Sequence, residues 1–577
     1  MIDVIVMPKL GFNMDEGKLV TWYKAEGEAI GKGEPLFAIE TDKTNIDVEA
    51  TRDGIVRKLL VSEGDSIPVT LPIAIIADGA DDVGAEVEKA CALLGREPGA
   101  AAPSAKEAPA QAAPPAPAAD RDFDAVVIGG GPGGYVAAIR LAQLGKRAAL
   151  IEKDSVGGVC LNRGCIPTKA LLRSVEALNE VRECENFGVL CASAGSASLD
   201  MKKVQARKAG VVKQLVGGVE ALLKGNGVTL IRGEGALKDA HTVEAGGRAY
   251  SAESIVIATG SSIKSLPIPI DGSVDMLTSD DVLALDSVPK EAVIIGGGVI
   301  GVEFAYFLAC AGAKVTVVEF LERVLPMVDE EITALAAARL AELGVEIHTG
   351  ARVTGIADGA VNFQKDGKEH SVKAGSVIMA VGRAPDLGGI DCESLGIRTE
   401  GGAIATDSAL RTSLPNVYAI GDVNGKAMLA HTATMEGICA ADSICGHGGE
   451  MRYDSIPTAI YIQPEIASVG LTEAQARERY GDRIKIGKFP LLANGKAKVA
   501  GQEKGLAKVI AESEYGEIVG VHLYCLHATD MIAEAVAAMN LEATAEEIAG
   551  SVHPHPTVSE AIQEAFHAVS GKAIHWI

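Results

Sequence analysis

Apolar positions along the chain change period several times, and each change marks a new kind of element. From residue 1 to about 77, short alternating runs are separated by glycine turns, the pattern of half-buried strands. Gly27-Glu28-Ala29-Ile30 and Gly64-Asp65-Ser66-Ile67 stand 37 residues apart, each leading into an apolar run. Two similar half-units packed face to face are expected to make a small all-β domain. A short helix is predicted around Val87 to Leu94. Pro98 to Ala119 has no hydrophobic pattern to pack and reads as a linker; its 22 residues reach roughly 70 Å in polyproline conformation. From Asp124 the pattern becomes strand, glycine cluster, helix to about Leu144, strand, and Ala292–Ile295 starts the same series again. Residues 459–522 alternate strand-like runs with turns, and helical patterns near 528–539 and 557–569 follow, predicting an antiparallel sheet with helices.

At 577 residues the chain is too long for one ordinary core. Its 66 glycines suit an α/β protein with many tight turns and close approaches to ligands. The net charge of -24 and an aromatic content of 4% speak against nucleic acid as a partner. No run of about 20 apolar residues predicts membrane insertion, and MIDVIVMPKLGF lacks the features of a secretory signal, so a cytoplasmic setting is expected. Of ten cysteines, eight are scattered without ligand-like spacing, and only Cys160 and Cys165 sit close together.

The repeat carries candidate chemistry. Gly129, Gly131 and Gly134 match Gly296, Gly298 and Gly301 in spacing, and in each copy a glutamate, Glu152 or Glu319, lies 23 residues after the first glycine. Gly145 and Gly312 close the two helices at the same offset. In a strand–turn–helix unit the first glycine makes the turn, the second lets backbone reach a pyrophosphate, and the third lets helix and strand pack closely. The acid accepts hydrogen bonds from a ribose 2′-hydroxyl. Two dinucleotide sites in one chain point to electron transfer, most simply from a bound flavin to a nicotinamide. Glu319 would repel a 2′-phosphate and no arginine immediately follows it, although Arg323 is near, so NAD is favoured over NADP.

Cys160 and Cys165, with Gly164 between them, follow the first unit. At a distorted helix start they can come within disulfide reach, and a thiolate there has a lowered pKa. Two ordinary buried residues are the bland alternative, and metal binding fits less well because no second ligand pair is near. His555 and Glu560 lie in HPHPTVSE, which opens the last helix. Thr557 as N-cap with Glu560 at the capping-box position is one use of the acid; orienting His555 for proton transfer is another, and the two are compatible. His431, His522 and His527 are alternatives with weaker local context. Lys43, between two strand-like runs, would sit at a hairpin tip, where a lysine is usually only a solubilising charge; a small β unit on a long arm gives it a carrier role to weigh.

Residues 121–577 closely resemble the dihydrolipoamide dehydrogenases among the flavin disulfide reductases. The motifs are GGVCLNRGCIPTK, GGGPGG and GGGVIG, ATG at 258–260, VGRAPD at 381–386, YAIGD at 418–422, LAHTATMEG at 429–437 and HPHPTVSE at 553–560. Residues 1–77 resemble the lipoyl domains of acyltransferase components. The resemblance implies two Rossmann-like dinucleotide-binding domains plus an α+β C-terminal interface domain, after a small all-β lipoyl-type domain. It implies a lipoyl domain over 1–77, a linker region over 78–120, an FAD-binding part over 121–269, an NAD-binding domain over 270–390, a central domain over 391–457 and a dimerisation domain over 458–577. Cofactors would be FAD, NAD and covalent lipoate, with no metal. Cys165 would be the flavin-proximal sulfur and Cys160 the exchanging one. Asp422 would bind the ribityl portion, with Gly260 also at the flavin and Lys169 and Glu303 near its N5. His555 and Glu560 would act from the opposite subunit of a homodimer. Lys43 would carry lipoate, since Asp42-Lys43-Thr44 lacks the methionines flanking a biotinyl lysine. The implied substrate is dihydrolipoamide, and the implied partners are the acyltransferase and decarboxylase components of a 2-oxoacid or related dehydrogenase complex. Ser262-Ile263, Asp386 and Thr44 depart from the commonest pattern; none removes a catalytic group.

Overall fold

The computed structural model describes residues 2–8, 16–40, 45–78, 83–94 and 121–576. It divides into two compact units, 1–119 and 120–577. Among the described residues no helix is long and apolar enough to cross a membrane.

The first unit is a pair of four-stranded antiparallel sheets. One runs Ile2–Val6, Pro72–Ala77, Gly54–Leu59, Ala29–Ile30; the other runs Asn45–Glu49, Pro35–Glu40, Glu16–Trp22, Ser66–Pro68. Leu19, Phe37, Ile39, Val56, Ile73 and Ile75 are fully buried in the core, as alternation of apolar positions requires when one face of each sheet is covered. The internal echo is a structural one. Gly27 and Gly64 both take positive φ, +93° and +90°, and the strands that follow them form one edge of each sheet. A helix at Gly84–Leu93 follows, and its Ala90 and Cys91 join the same core. Strands Pro35–Glu40 and Asn45–Glu49 pair antiparallel. Lys43 lies outside the described residues, as does the linker from Pro98 to Ala119.

The second unit contains the repeat in three dimensions. A parallel array runs Thr229–Arg232, Ala148–Glu152, Phe123–Ile128, Arg248–Ile257, Val417–Ala419. A second runs Glu346–His348, Lys314–Val318, Glu291–Ile295, Ser376–Met379, Asp275–Leu277. Four strands of each follow the same order, but the outer strand beside the fourth comes last in the first array (417–419) and first in the second (275–277); each has an antiparallel meander ahead of or within its return strand (236–257 and 352–373). Parallel strands covered on both faces need continuous apolar runs, and Val126, Val127, Ile294 and Val317 are buried accordingly. The helices Pro132–Gln143 and Val299–Cys310 end identically: Lys146 N–H donates to Leu141 O at 3.0 Å and Ala313 N–H to Leu308 O at 2.9 Å, with Gly145 and Gly312 at φ +82° and +99°.

The C-terminal part is a five-stranded antiparallel sheet, Thr458–Ile460, Glu465–Gly470, Ile518–Cys525, Leu506–Glu512, Ile484–Pro490, with helices Ala528–Asn540 and Glu560–Val569 on it. The last helix starts later than its pattern predicted. Ser559, not Thr557, is the N-cap, because the Thr557 hydroxyl donates to Pro554 O at 2.7 Å instead of capping the helix.

A buried ion cluster fixes this sheet to the second parallel array. Lys508, 1% exposed, reaches Asp329 at 2.9 Å, Glu331 at 2.7 Å and Glu473 at 2.8 Å. Asp329 caps the helix Glu330–Glu342, which packs on that array. Burial alone would raise the Asp329 carboxyl, but hydrogen bonds from Lys508 and the Glu473 N–H, with the electrostatic influence of nearby His522, hold it below its ordinary value. Burial works against the Lys508 charge too, yet its three carboxylate partners raise its pKa. The sign follows: the cluster stabilises the fold at neutral pH. Its contribution fades as pH falls through the depressed Asp329 value, and again as pH rises through the elevated Lys508 value. Lys508→Ala leaves the buried Asp329 carboxylate without a cation, while Glu331 keeps Lys488 and Glu473 keeps Arg477, and is expected to cost about 3 kcal/mol. Denaturant unfolding at pH 7 checks this, and the difference from the unsubstituted chain is expected to shrink in acid.

Candidate functional site

Each glycine turn is built by steric demand. At Gly129 a Cβ would collide with the Ala258 carbonyl, and at Gly134 with the carbonyl of Gly129 itself; Gly296 and Gly301 meet Ala380 and Gly296 in the same way. A Cβ at Gly131 or Gly298 would meet nothing within 4 Å. The first and third glycines therefore close the strand–helix contact, while the second faces open space at a helix N-terminus. That is where a diphosphate needs backbone N–H groups and positive dipole.

The two acids are held alike. Glu152 accepts the Gly130 N–H at 2.6 Å and the Asp154 N–H at 2.7 Å. Glu319 accepts the Gly297 N–H, and the Leu321 N–H at 2.7 Å. A carboxylate has about four acceptor positions, so each oxygen keeps a lone pair for a ribose diol. Arg323, the cation the sequence offered near Glu319, donates instead to Pro326 O at 2.9 Å.

Cys160 and Cys165 are disulfide-bonded, with Cα atoms 4.7 Å apart. Cys160 lies in the helix Gly158–Arg163, and Cys165 begins the helix Cys165–Arg182. Gly164 breaks the chain between them; a Cβ there would sit 3.0 Å from Val159 O and 3.2 Å from Cys160 Cα. The Gly157 N–H donates to Gly130 O at 2.7 Å, so the sulfur segment is clipped directly onto the first glycine turn.

Lys169, one turn into the Cys165 helix, contacts both carboxylate oxygens of Glu303 at 3.0 Å. Glu303 is 3% exposed, from the helix after the second glycine turn. Tyr461 completes the pair: its N–H donates to Glu303 at 3.0 Å, and its ring lies 4.4 Å from the Lys169 ammonium. Asp422 accepts from the Ser261 hydroxyl at 2.5 Å, and Arg383 steadies Ser261 with bonds of 2.7 and 2.6 Å. Gly260 precedes them at φ +77°, its carbonyl accepting the Asp386 N–H. The turn at Gly421–Asp422 rests on fully buried Glu436, which accepts from Gly421 N–H, from Asn424 at 3.0 Å and from the Tyr453 hydroxyl at 2.6 Å. Burial raises the Glu436 carboxyl despite those donors.

Cys160, Cys165, Lys169, Glu303, Tyr461, Ser261, Arg383 and Asp422 meet in one cavity of about 1610 Å³. It is lined by both glycine turns, both acids, both cysteines, Lys169, Glu303, Gly260 and Asp422. His431 also lines it, its Nε2 2.8 Å from Pro457 O. His522 does not: it is buried in the C-terminal sheet with Nε2 2.9 Å from Leu471 O, and burial lowers its pKa. His527 instead stands at the N-cap of the helix Ala528–Asn540. His555 also stands outside this cavity. Its side chain is 78% exposed and its Nδ1 is 2.8 Å from Glu560, whose other oxygen accepts the Thr557 N–H at 2.8 Å. Glu560 thus orients the histidine and ties down the turn at once; burial raises its carboxyl, but these bonds leave it below the ordinary range.

Sequence reasoning did not assign Ser261, Arg383, Glu436 or Tyr461. Each acts on a site residue through a hydrogen bond to a distant segment. The available signal was a buried-looking charge in apolar surroundings, as at Glu436 in a helix with Ala433, Cys439 and Ala440.

The comparisons agree with this geometry. The family model for pyridine nucleotide-disulphide oxidoreductases matches residues 123–437, and its dimerisation-domain model matches 456–566. The chain belongs to the pyridine nucleotide-disulphide oxidoreductases. Among relatives of this family, the dihydrolipoyl dehydrogenase of Bacillus subtilis is 42% identical over 476 residues, spanning 79% of this chain and 99% of that one. That of Corynebacterium glutamicum is 41% identical over 470 residues, with the same coverage. Among solved structures, the HOCl-induced flavoprotein disulfide reductase RclA from Escherichia coli is 28% identical with a TM-score of 0.68, covering 77% of this chain and 99% of that chain. Residues 3–76 match a biotin/lipoyl domain model described as biotin-requiring enzyme.

The glycines give a direct test. Gly134→Ala is expected to destabilise the second unit by at least about 3 kcal/mol, because its Cβ overlaps backbone that cannot move aside. Gly131→Ala is expected to keep the unfolding free energy of the nucleotide-free protein within about 0.5 kcal/mol yet lose dinucleotide retention. Unfolding curves and nucleotide content of the two purified variants check both.

Proposed function

We propose that this oxidoreductase is a dihydrolipoyl dehydrogenase that reoxidises dihydrolipoyl groups through Cys160–Cys165, FAD and NAD⁺. The observation that carries it is the single cavity joining the sulfur pair to both glycine turns. The open positions at Gly131 and Gly298 fit two diphosphates. Gly129, Gly131, Gly134, Glu152, Gly260 and Asp422 hold FAD, with Lys169 and Glu303 beside its reacting end. Gly296, Gly298, Gly301 and Glu319 hold NAD. FAD, when bound, supplies the means to take an electron pair from sulfur and deliver it as hydride to NAD⁺.

The chain's own residues do the rest. His555, oriented by Glu560, takes a proton from one dihydrolipoamide thiol. The thiolate attacks Cys160 Sγ, breaking its bond to Cys165 and leaving Cys165 as a thiolate at a helix N-terminus, where the dipole favours that charge. Once His555 has released the first proton to solvent, the second substrate thiol gives its proton to His555 and its sulfur displaces Cys160 as a thiolate, closing the lipoyl disulfide. The substrate has lost two electrons and two protons, and the protein disulfide has gained the electron pair. His555 is exposed and outside the cavity of its own chain, which supports its serving the cavity of a second copy; the matched dimerisation domain supports the same arrangement. The Lys169–Glu303 pair neutralises charge on the sulfur side, and Tyr461 fixes its geometry.

The first unit carries lipoate on Lys43, supported by the domain match and by the absence of methionine on either side of that lysine. Through it the enzyme serves the acyltransferase and decarboxylase components of a 2-oxoacid or related dehydrogenase complex. The division into 121–269, 270–390, 391–457 and 458–577 as FAD, NAD, central and interface domains follows from the same assignment. Eight free cysteines suit a reducing, cytoplasmic compartment.

Rapid mixing of Cys160→Ser with dihydrolipoamide is expected to show flavin reduction slowed by at least about 1000-fold; reduction at the ordinary rate would overturn the scheme. Intact mass is expected to show one lipoyl group, lost in Lys43→Arg. That variant is expected to keep turnover of free dihydrolipoamide and to lose turnover in the assembled complex, because tethering acts only through effective concentration.

A further inference from the structure

The helix Met201–Gly225 runs for 25 residues and buries only Met201, Val204, Val219 and Leu223. Its charge is as one-sided as its burial. Lys202, Lys203, Arg207, Lys208, Lys213 and Lys224 stand against a single acid, Glu220, in a chain of net charge -24. Arg232 already pairs with that acid at 2.6 Å. Lys208 donates to Leu283 O at 2.7 Å, and among the described residues no ion pair engages Lys202, Lys208 or Lys213. At 100° per residue, Lys202 and Lys213 point within about 20° of one another. Lys208 and Lys213 border a groove of about 520 Å³ whose walls include Ala209, Val212 and Val216 of this helix and Asn162 opposite. Asn162 lies two residues from Cys160, on the short helix Gly158–Arg163. Cations without acidic partners therefore edge a groove beside the sulfur pair, and the reaction scheme uses none of them.

We propose that this helix face docks an acidic lipoyl-bearing carrier domain on a separate molecule, and so brings dihydrolipoyl groups to Cys160. The inference rests on the reading of Cys160 as the exchanging sulfur and of Lys43 as a lipoyl carrier. Residues 1–77 show what the surface of such a carrier offers. They hold 13 aspartates and glutamates against 8 lysines and arginines. Glu40, Asp42, Asp47 and Glu49 lie within six residues of Lys43, and no other lysine or arginine does. Acylation removes the charge of Lys43 itself, so the loaded carrier is more acidic around its arm. Opposite charge on two exposed surfaces raises the rate of encounter and sets orientation, while adding little to resting affinity. A contact of that kind suits a carrier that has to leave once its sulfurs are oxidised.

The test uses the full-length holoenzyme with Lys43→Arg, so that its lipoyl substrate comes only from outside. The carrier is the unit 1–119 alone, lipoylated on Lys43 and reduced, because that unit closes its own core between Ile2 and Leu94. In the enzyme, Lys202→Glu with Lys213→Glu is expected to lower kcat/KM for this carrier about tenfold at low salt. Turnover of free dihydrolipoamide, which is uncharged, is expected to stay the same. Raising ionic strength to about 0.3 M is expected to erase most of the difference between the two enzymes. A carrier with Asp47→Lys and Glu49→Lys is expected to prefer the charge-reversed enzyme. Both lysines are exposed, so the variant is expected to melt at the unsubstituted temperature. Equal kcat/KM for the carrier in the two enzymes, or an equal loss with free dihydrolipoamide, overturns the docking face. If free dihydrolipoamide reduces no NAD⁺ even with the unsubstituted enzyme, the reaction itself falls. If the unit 1–119 takes no lipoyl group, the Lys43 assignment falls and the docking face with it.

Discussion

The close contact between the first and third glycines of each turn is the constraint on which the second unit depends. Gly134 lies against the carbonyl of Gly129, and Gly301 against that of Gly296, with no room for a side chain between helix and strand. Only that approach puts a helix N-terminus at the carboxyl end of the central strand. Dipole, free N–H groups and the ribose acid then converge on one place. The glutamates exploit the same contact: each reaches back to the N–H of the turn's second residue, so the sugar-binding group and the phosphate-binding backbone are held as one piece.

Around this frame, two deeply buried charges are met by partners from distant segments. Glu303 meets Lys169 from the sulfur helix and the backbone of Tyr461 from the C-terminal sheet. Lys508 meets three carboxylates from two other elements. Such pairs add little net stability compared with apolar packing, but breaking one is expensive. Their effect is to fix how the arrays stand around the cavity. Lys169 keeps its distance from Cys165 through one helical turn, and its distance from the second glycine turn through Glu303. The cysteine pair and the second glycine turn are thereby related through one ion pair.

What could be read from the sequence was what local spacing encodes. The glycine triplets, the paired acids, the helix-closing glycines and the cysteine pair are all short-range patterns, and each corresponds to a feature of the fold. The antiparallel C-terminal sheet was legible in the same way. The start of the last helix was not, because Thr557 had a choice of partners and took Pro554 O over the helix N–H groups. Nor were Ser261, Arg383, Glu436 and Tyr461, whose partners lie up to 161 residues away along the chain. Arg323 stands close to Glu319 in sequence, yet the fold turns its guanidinium to Pro326 O.

The duplicated halves also show how one of them came to hold sulfur. In both, the segment after the acid returns to the glycine turn and donates an N–H to it: Gly157 to Gly130 O at 2.7 Å, and Leu325 to Gly297 O at 2.8 Å. Up to that clip the two chains are nearly superimposable in pattern. Beyond it the first continues into Gly158, whose own Cβ would sit 2.7 Å from Gly131 Cα, and so into the cysteine helix pressed against the open glycine. The second continues into Pro326, Met327 and the Asp329-capped helix that anchors the C-terminal sheet. The same backbone clip, followed by different residues, makes a redox centre in one half and a structural anchor in the other. The half that keeps its turn clear of sulfur remains open to a second nucleotide.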